Sequence, residues 1–128
     1  MRYKNLPIIF HNGDSVEVFK ELLPSIKDAA VFWLDGHWSA GYDAGKGPKD
    51  CPLLDELELI VTLFNSNTLV IIDDCRLFGT KIVEDWRDIT YESIIKIVSP
   101  RLVKTQWFSS SHHVKDRLAL WLSPKNMT

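Results

Sequence analysis

Residues 68–76 read TLVIIDDCR, an apolar run that ends in two adjacent aspartates. Its first five residues show no alternation of polar and apolar side chains, which is typical of a strand covered on both faces of a sheet. Residues 30–36, AVFWLDG, repeat this arrangement with a second apolar run that ends in Asp35. The two stretches predict two buried strands, each followed directly by carboxylates.

Helical patterns separate and flank these two strands. Asp14 is predicted to cap the first helix with Glu17 as its capping-box partner, and Pro52 to open the second helix. Thr90 is predicted to cap a third helix, which Pro100 ends. In chain order, the predicted elements are a strand at 6–10, a helix at 15–26, a strand at 30–34, a helix at 52–64, a strand at 68–72, the helix after Thr90, and an antiparallel hairpin of strands at 102–108 and 117–123.

This alternation predicts the α/β fold class, with a mostly parallel sheet that closes in a C-terminal antiparallel hairpin. A chain of 128 residues is expected to form a single domain, residues 1–128. In such sheets, ligands bind beyond the carboxyl ends of the strands. Asp35, His37, Asp73 and Asp74 all follow predicted strand ends, and Asp14 follows the first predicted strand. We therefore expect these side chains at one edge of the sheet.

Three carboxylates that meet at one edge repel one another unless a cation lies among them or one is protonated. Oxygen ligands suit a hard ion such as Mg²⁺, so Asp35, Asp73 and Asp74 are the predicted metal ligands. His37 lies two residues beyond Asp35, and its ordinary pKa suits a general base better than a magnesium ligand. The sequence thus predicts a magnesium site with a neighbouring base.

Composition excludes several other classes of function. A formal net charge of -2 gives no electrostatic case for nucleic-acid binding, although it leaves local basic patches open, and no apolar run approaches membrane-spanning length. Cys51 and Cys75 fit neither a zinc motif nor a disulfide framework, so we expect reduced cysteines in a cytoplasmic protein.

Each candidate residue also has a simpler role open to it. The strand-end aspartates can hydrogen-bond to the turns that follow them, and Asp14 is favoured as a plain N-cap over a ligand contact. The expected structural residues are His112 and His113 in an exposed hairpin loop, Trp33, Trp107 and Trp121 in the core, and Asp55, Glu56 and Glu58 mostly on the outer face of the second helix.

Three stretches, GDSVEVFKELLPSIKDAAVFWLDGHWSAG (13–41), CPLLDELELI (51–60) and TLVIIDDCR (68–76), resemble the second half of class I S-adenosylmethionine-dependent methyltransferases. The similarity is closest to small-molecule and sugar O-methyltransferases and covers nearly the whole chain. It implies a truncated Rossmann-like sheet in which Asp35, Asp73 and Asp74 bind Mg²⁺ beside the acceptor hydroxyls. It also implies that His37 is the catalytic base and that Asp14 and Ser15 contact the adenine of the cofactor.

One part of the family pattern is missing from this sequence. The family binds its methyl donor through a glycine-rich turn after its first strand, whereas the only G-x-G here is GKG (45–47), which follows no predicted strand. The sequence therefore reads as a methyltransferase domain that starts late, as a fragment or a natural truncation. We expect weak binding of S-adenosylmethionine, poorer than about 100 μM.

Three functions remain open from the sequence. The first is a magnesium-assisted O-methyltransferase acting on a small-molecule hydroxyl, and the second is a non-catalytic dimeric remnant of that family. The third, less favoured, is a magnesium-binding phosphoacceptor domain, which would also require a strand-end lysine that residues 102–108 supply poorly. In the family, the strand matching 30–34 is flanked on both sides. Without its first neighbour it would leave an open apolar edge. Residues 6–10 could cover this edge by pairing parallel with residues 30–34, or two copies could cover it together, and we expect a homodimer with residues 6–34 in its interface.

Overall fold

Alternating strands and helices build the protein, for which a computed structural model describes residues 5–36, 49–82 and 84–125. Within these ranges, the strands are β1 (Ala30–Leu34), β2 (Thr68–Ile72), β3 (Leu102–Phe108) and β4 (Arg117–Leu122), and the helices are α1 (Ser15–Leu22), α2 (Leu53–Leu63) and α3 (Tyr91–Val98). Short 3₁₀ turns at Leu23–Ser25 and Cys75–Leu77 follow α1 and β2. The fold is α/β with an open, mixed sheet.

The four strands lie in the order β1-β2-β4-β3. β1 and β2 are parallel, but β4 pairs antiparallel with both β2 and β3. The prediction of a mostly parallel sheet is therefore wrong, because β4 lies directly beside β2 and turns two of the three strand pairs antiparallel. The predicted C-terminal hairpin is confirmed.

The predicted strand at residues 6–10 does not form. This stretch is irregular and exposed, and Ile9 and Phe10 keep 81% and 71% of their surface in solvent. Ile8 N–H donates to the carbonyl of Leu6 at 2.8 Å, a local turn that replaces pairing with a neighbouring strand. Apolar composition alone suggested a strand here, but a strand also needs a partner for its backbone groups.

The helix ends agree with the sequence in part. Asp14 occupies the N-cap position of α1, but its side chain makes no capping hydrogen bond, so the predicted capping box with Glu17 is wrong. The helix is shorter than predicted because the chain tightens into a 3₁₀ turn around Pro24. Pro52 is the N-cap of α2 and not its first helical residue. Thr90 caps α3, and a full capping box forms with Ser93.

One core cluster joins the helices to the sheet. Val70 and Ile72 of β2 and Leu118 and Leu120 of β4 are buried against residues of α2 and α3, all with at most 1% of their surface exposed. Side chains alternate between the faces of a strand, so these residues share the face that the helices cover. The opposite face is less protected.

The tryptophans show this difference between the faces. Trp33 was predicted to lie in the core but is 53% exposed, because it projects from β1 on the less protected face. The guanidinium of Arg117 lies over its ring, 5.6 Å from the centroid. Trp107 and Trp121 are half-buried, in keeping with their position in β3 and β4.

The amino end of β2 is fixed by a buried arginine. Arg101 is 5% exposed and donates to the carbonyl oxygens at the C-terminus of α2 and to Ser66 and Ser123. The last carbonyls of a helix have no partner within it, so the guanidinium satisfies groups that would otherwise be buried unpaired. This contact joins α2, β2 and β4 at the end of the sheet opposite the aspartates.

The cysteines and the membrane prediction can be checked directly. Cys51 and Cys75 are both free and buried, and burial is the main cause that raises the pKa of each thiol to about 12. Across the described residues, every helix is too short or too polar to cross a bilayer.

Candidate metal centre

The three aspartates predicted to bind a metal come together at the carboxyl ends of β1 and β2. Asp35, Asp73 and Asp74 each place one carboxylate oxygen within 4.8 Å of the others. Parallel pairing of β1 and β2 explains this, because Leu34 lies opposite Ile72 and the aspartates follow immediately. Asp73 N–H also donates to the Leu34 carbonyl at 3.3 Å, which extends the pairing to the site.

Asp73 is held in place from two directions. Its Oδ1 accepts hydrogen bonds from the backbone N–H of Asp74 at 2.9 Å and from Nε of Arg117 at 3.1 Å. The side chain is 16% exposed, and Arg117 follows directly after Asp116 at the start of β4. The antiparallel strand that the sequence placed in a terminal hairpin thus supplies a residue to the site.

Asp74 adopts a left-handed backbone conformation, with φ 60° and ψ 36°. Aspartate tolerates this conformation better than most residues, and it marks a sharp turn between β2 and the 3₁₀ turn that follows. Nη1 of Arg76 donates to Oδ1 of Asp74 at 2.8 Å. The carboxylate is therefore fixed by both its backbone and an arginine.

Arg76 connects the site to the hairpin through a second acid. The same Nη1 donates to Oδ2 of Asp116 at 2.9 Å, and the Arg76 N–H donates to Oδ1 at 3.1 Å. Burial opposes ionisation of Asp116, but hydrogen bonds from Ser110 and Arg76 and the positive charge of Arg76 outweigh it and hold its pKa below the ordinary value. Asp116 is therefore ionised and completes a chain of alternating charges that ends at Asp74.

A fourth carboxyl group lies behind the cluster, and the sequence placed it incorrectly. Glu56 was predicted to face mostly outward, but it is 3% exposed, and its Oε2 lies 3.6 Å from the point where a Cβ on Gly36 would stand. Burial raises the pKa of Glu56, a hydrogen bond with Ser15 opposes that shift, and the charges of Asp14 and Asp55 add to it.

A small cavity of about 10 Å³ lies between Glu56 and the cluster. Its lining includes Glu56, Asp35, Gly36 and Asp73. This volume corresponds to about one water molecule. The stripe of apolar residues in α2 leaves Glu56 on the border of its buried face, and Gly36, which follows β1, has no side chain to fill the space that Glu56 Oε2 approaches. The helical pattern alone does not contain that information.

The remaining predicted site residues have different outcomes. His37 lies outside the described residues, so its role as a base stays a prediction. Asp14 and Ser15 are half-buried at the start of α1, and Ser15 reaches the site through its hydrogen bond with Glu56. His112 and His113 are exposed in the hairpin loop, as expected.

The ligand atoms of the cluster are carboxylate oxygens, which hard divalent cations prefer. Three ligands of one ion cannot all lie opposite one another, and three evenly spaced ligands are about 3.6 Å apart around Mg²⁺ and about 4.0–4.5 Å apart around Ca²⁺. A limit of 4.8 Å between the aspartate oxygens is thus close to the span of Ca²⁺ and requires a contraction of about 1.2 Å for Mg²⁺ in the least favourable case. With three protein oxygens, either ion would complete its shell mostly with water.

Comparisons with known proteins identify no relative. The chain matches no protein-family model, no curated protein and no solved structure.

Proposed function

We propose that the chain is a magnesium-binding domain of the O-methyltransferase type, with a small-molecule hydroxyl as its acceptor. The observation that supports this most strongly is the convergence of Asp35, Asp73 and Asp74 within 4.8 Å at the end of two parallel strands. These three positions are the ones at which the sequence resembles the metal site of metal-dependent O-methyltransferases.

In this proposal, the protein's own residues divide the work. Asp35, Asp73 and Asp74 hold the cation, and Arg117 and Arg76 orient two of these carboxylates through their hydrogen bonds. A bound cation would lower the pKa of the acceptor hydroxyl and orient it, and S-adenosylmethionine would supply the methyl group. His37 is the base that the resemblance implies.

The donor side fits less well than the metal side. The Ser15 side chain is hydrogen-bonded with the buried Glu56, so a cofactor would have to compete for that side chain. Asp14 stands close enough to Glu56 to raise its pKa, which adds negative charge to the same place. We therefore expect S-adenosylmethionine to bind with a dissociation constant above about 100 μM, which corresponds to less than about 5.5 kcal/mol.

Thermal unfolding with added cations tests the metal site. Millimolar Mg²⁺, Mn²⁺ or Ca²⁺ should raise the melting temperature, because a ligand that binds only the native state stabilises it. Asp73→Asn with Asp74→Asn should abolish the increase, whereas Asp85→Asn with Asp88→Asn, a second acidic pair at a separate pocket, should leave it unchanged. An equal response in both double variants would place the cation elsewhere and overturn the proposal.

Calorimetric titration with S-adenosylmethionine, with and without Mg²⁺, tests the donor. Weak heat that becomes stronger with Mg²⁺ would support the methyltransferase proposal. A low-micromolar dissociation constant for this chain would contradict our expectation of an incomplete donor site. Binding of the metal with no detectable binding of the donor up to millimolar concentration would favour the second candidate, a non-catalytic remnant.

A specific contact disfavours the phosphoacceptor alternative. That function needs a lysine at the carboxylate edge, and Lys104 of β3 was the residue that could have supplied it. Its Nζ lies instead over the ring of Trp121, 4.9 Å from the centroid. Lys104 pairs with Trp121, next to the last residue of β4, away from the strand ends that carry the aspartates.

A further inference from the structure

The outer edge of β1 is one of the two open edges of the sheet within the described residues, and that of β3 is the other. Within the described ranges, β1 pairs with β2 alone. Ala30 N–H donates to the Asn67 carbonyl and the Leu34 carbonyl accepts from Asp73, so the even-numbered residues of β1 direct their backbone groups towards β2. Backbone groups alternate along a strand, so those of Val31 and Trp33 point to the outer edge.

The side chains of this edge lack the features that usually keep such a strand single. Isolated edge strands commonly carry charged residues, proline or a bulge, which discourage pairing with another chain. Residues 30–34, AVFWL, contain none of these. Val31 and Trp33 are 65% and 53% exposed, so the edge combines exposed apolar side chains with backbone groups that have no strand partner among the described residues.

We propose that a second copy of the chain pairs with β1 across a two-fold axis, antiparallel, with Phe32 opposite Phe32. Val31 then lies opposite the partner's Trp33, and Trp33 opposite the partner's Val31. These are the residues whose backbone groups point outward, so each pair exchanges two hydrogen bonds and the dimer gains four. The two sheets join into one of eight strands.

The order of side chains in β1 favours this register and a second copy as the partner. A two-fold axis at Phe32 uses all five residues of the strand and places Ala30 opposite the partner's Leu34. Pairs of an aromatic and a β-branched residue are among the favourable cross-strand pairs, and both Val–Trp pairs are of this kind. No like charges meet, so the strand is complementary to itself.

The size of the contact limits its strength. A paired strand of five residues is about 17 Å long. Together with the side chains above and below it, such a contact falls below about 1,200 Å² in total, at the low end of specific interfaces. We therefore expect a dissociation constant of about 10–100 μM, and a dimer that dissociates on dilution.

Two double variants that differ only at position 31 test the register. Val31→Glu with Trp33→Glu puts like charges opposite each other twice and should raise the dissociation constant at least about tenfold. Val31→Lys with Trp33→Glu puts opposite charges there and should restore dimers. Both variants carry Trp33→Glu, so the contact of Arg117 with position 33 within the single chain changes equally in the two. Val114→Glu, at a site that is 70% exposed in the hairpin loop, is the control and should behave as wild type.

Sedimentation velocity from about 1 to 300 μM gives the association state of each protein. Wild-type chain that stays monomeric throughout overturns the proposal, and a dimer unaffected by Val31→Glu with Trp33→Glu shows that the contact lies elsewhere. If the Lys–Glu variant is as monomeric as the Glu–Glu variant, the register is wrong. If either variant fails to fold, hydrogen exchange of the wild type decides: the Val31 and Trp33 amides should be protected at 300 μM and exchange freely at 1 μM.

Discussion

β1 and β2 carry almost the same sequence pattern, yet they have opposite environments. Each is a run of five mainly apolar residues that ends in aspartate. β2 is paired along both edges, and three of its residues are buried. β1 is paired along one edge within the described residues, and its only buried residue is Leu34. The comparison shows that an apolar run predicts a strand but does not tell its position in the sheet.

The two strands also differ in how their ends are anchored. The amino end of β2 is fixed by Arg101, and its carboxyl end by the arginine contacts of Asp73 and Asp74. At its carboxyl end β1 reaches the candidate metal centre through Asp35, which is exposed. The strand that is paired along both edges therefore carries the two acids that are oriented by arginines, and we expect the stability of the site to depend mainly on β2.

The largest effect is expected at the amino end of β2. Arg101→Met should destabilise the protein by about 3–5 kcal/mol, because the carbonyls at the end of α2 lose their buried partner and cannot be reached by water. Thermal or urea unfolding measures the change. Arg87→Met is the matched control, because Arg87 is exposed and its side chain pairs with Asp85, two residues away. The melting temperature of this variant should stay near that of the wild type. An equal loss of stability in Arg101→Met and Arg87→Met would mean that the end of α2 does not depend on Arg101.

Two valines test the difference between the strands directly. Val70→Ala in β2 should cost about 2–3 kcal/mol, because the side chain is fully buried and its loss leaves a cavity. Val31→Ala in β1 removes the same atoms from a side chain that is 65% exposed and should cost less than about 0.5 kcal/mol in the monomer. Urea unfolding at low micromolar concentration measures both. If Val31→Ala costs as much as Val70→Ala there, the outer face of β1 is covered within the single chain.

Much of the fold could be predicted because its signals are local. The apolar runs of β1 and β2, the hairpin of β3 and β4 and the Thr90 cap each depend on neighbouring residues. The order and pairing of strands are not local. The mostly parallel sheet was wrong because β4 lies beside β2 at a distance of more than 40 residues in sequence. The strand at 6–10 was wrong because an apolar run does not show whether its backbone has a partner.

The candidate site, like the fold, could be predicted only where it depends on local signals. The convergence of Asp35, Asp73 and Asp74 followed from two strand ends, and it depended only on β1 and β2 being neighbours. Arg117, Arg76 and Glu56 were missed as parts of the site. Arg117 and Glu56 reach it from β4 and α2, and no spacing in the sequence relates them to the aspartates. Arg76 lies two residues after Asp74, but the sequence does not show that its side chain turns back to that carboxylate.

The smallest expected effect concerns Glu56, the acid behind the end of β1. Its pKa in the folded chain is raised above the ordinary value of 4.5, mainly by burial. The folded state therefore holds the proton more tightly than the unfolded state does. The contribution of Glu56 to stability is fully present below about pH 4.5 and is lost as the pH rises through the folded pKa.

Glu56→Gln keeps the size of the side chain and removes its charge, so it should raise the melting temperature relative to wild type at pH 8 and have a smaller effect at pH 4. Glu58→Gln, on the exposed side of the same helix, should show no such dependence on pH. If Glu56→Gln lowers stability more at pH 8 than at pH 4, the carboxylate is ionised and held by donors such as Ser15. The region behind β1 would then resemble the arginine-held end of β2, and the contrast between the two strands would not extend to their carboxyl ends.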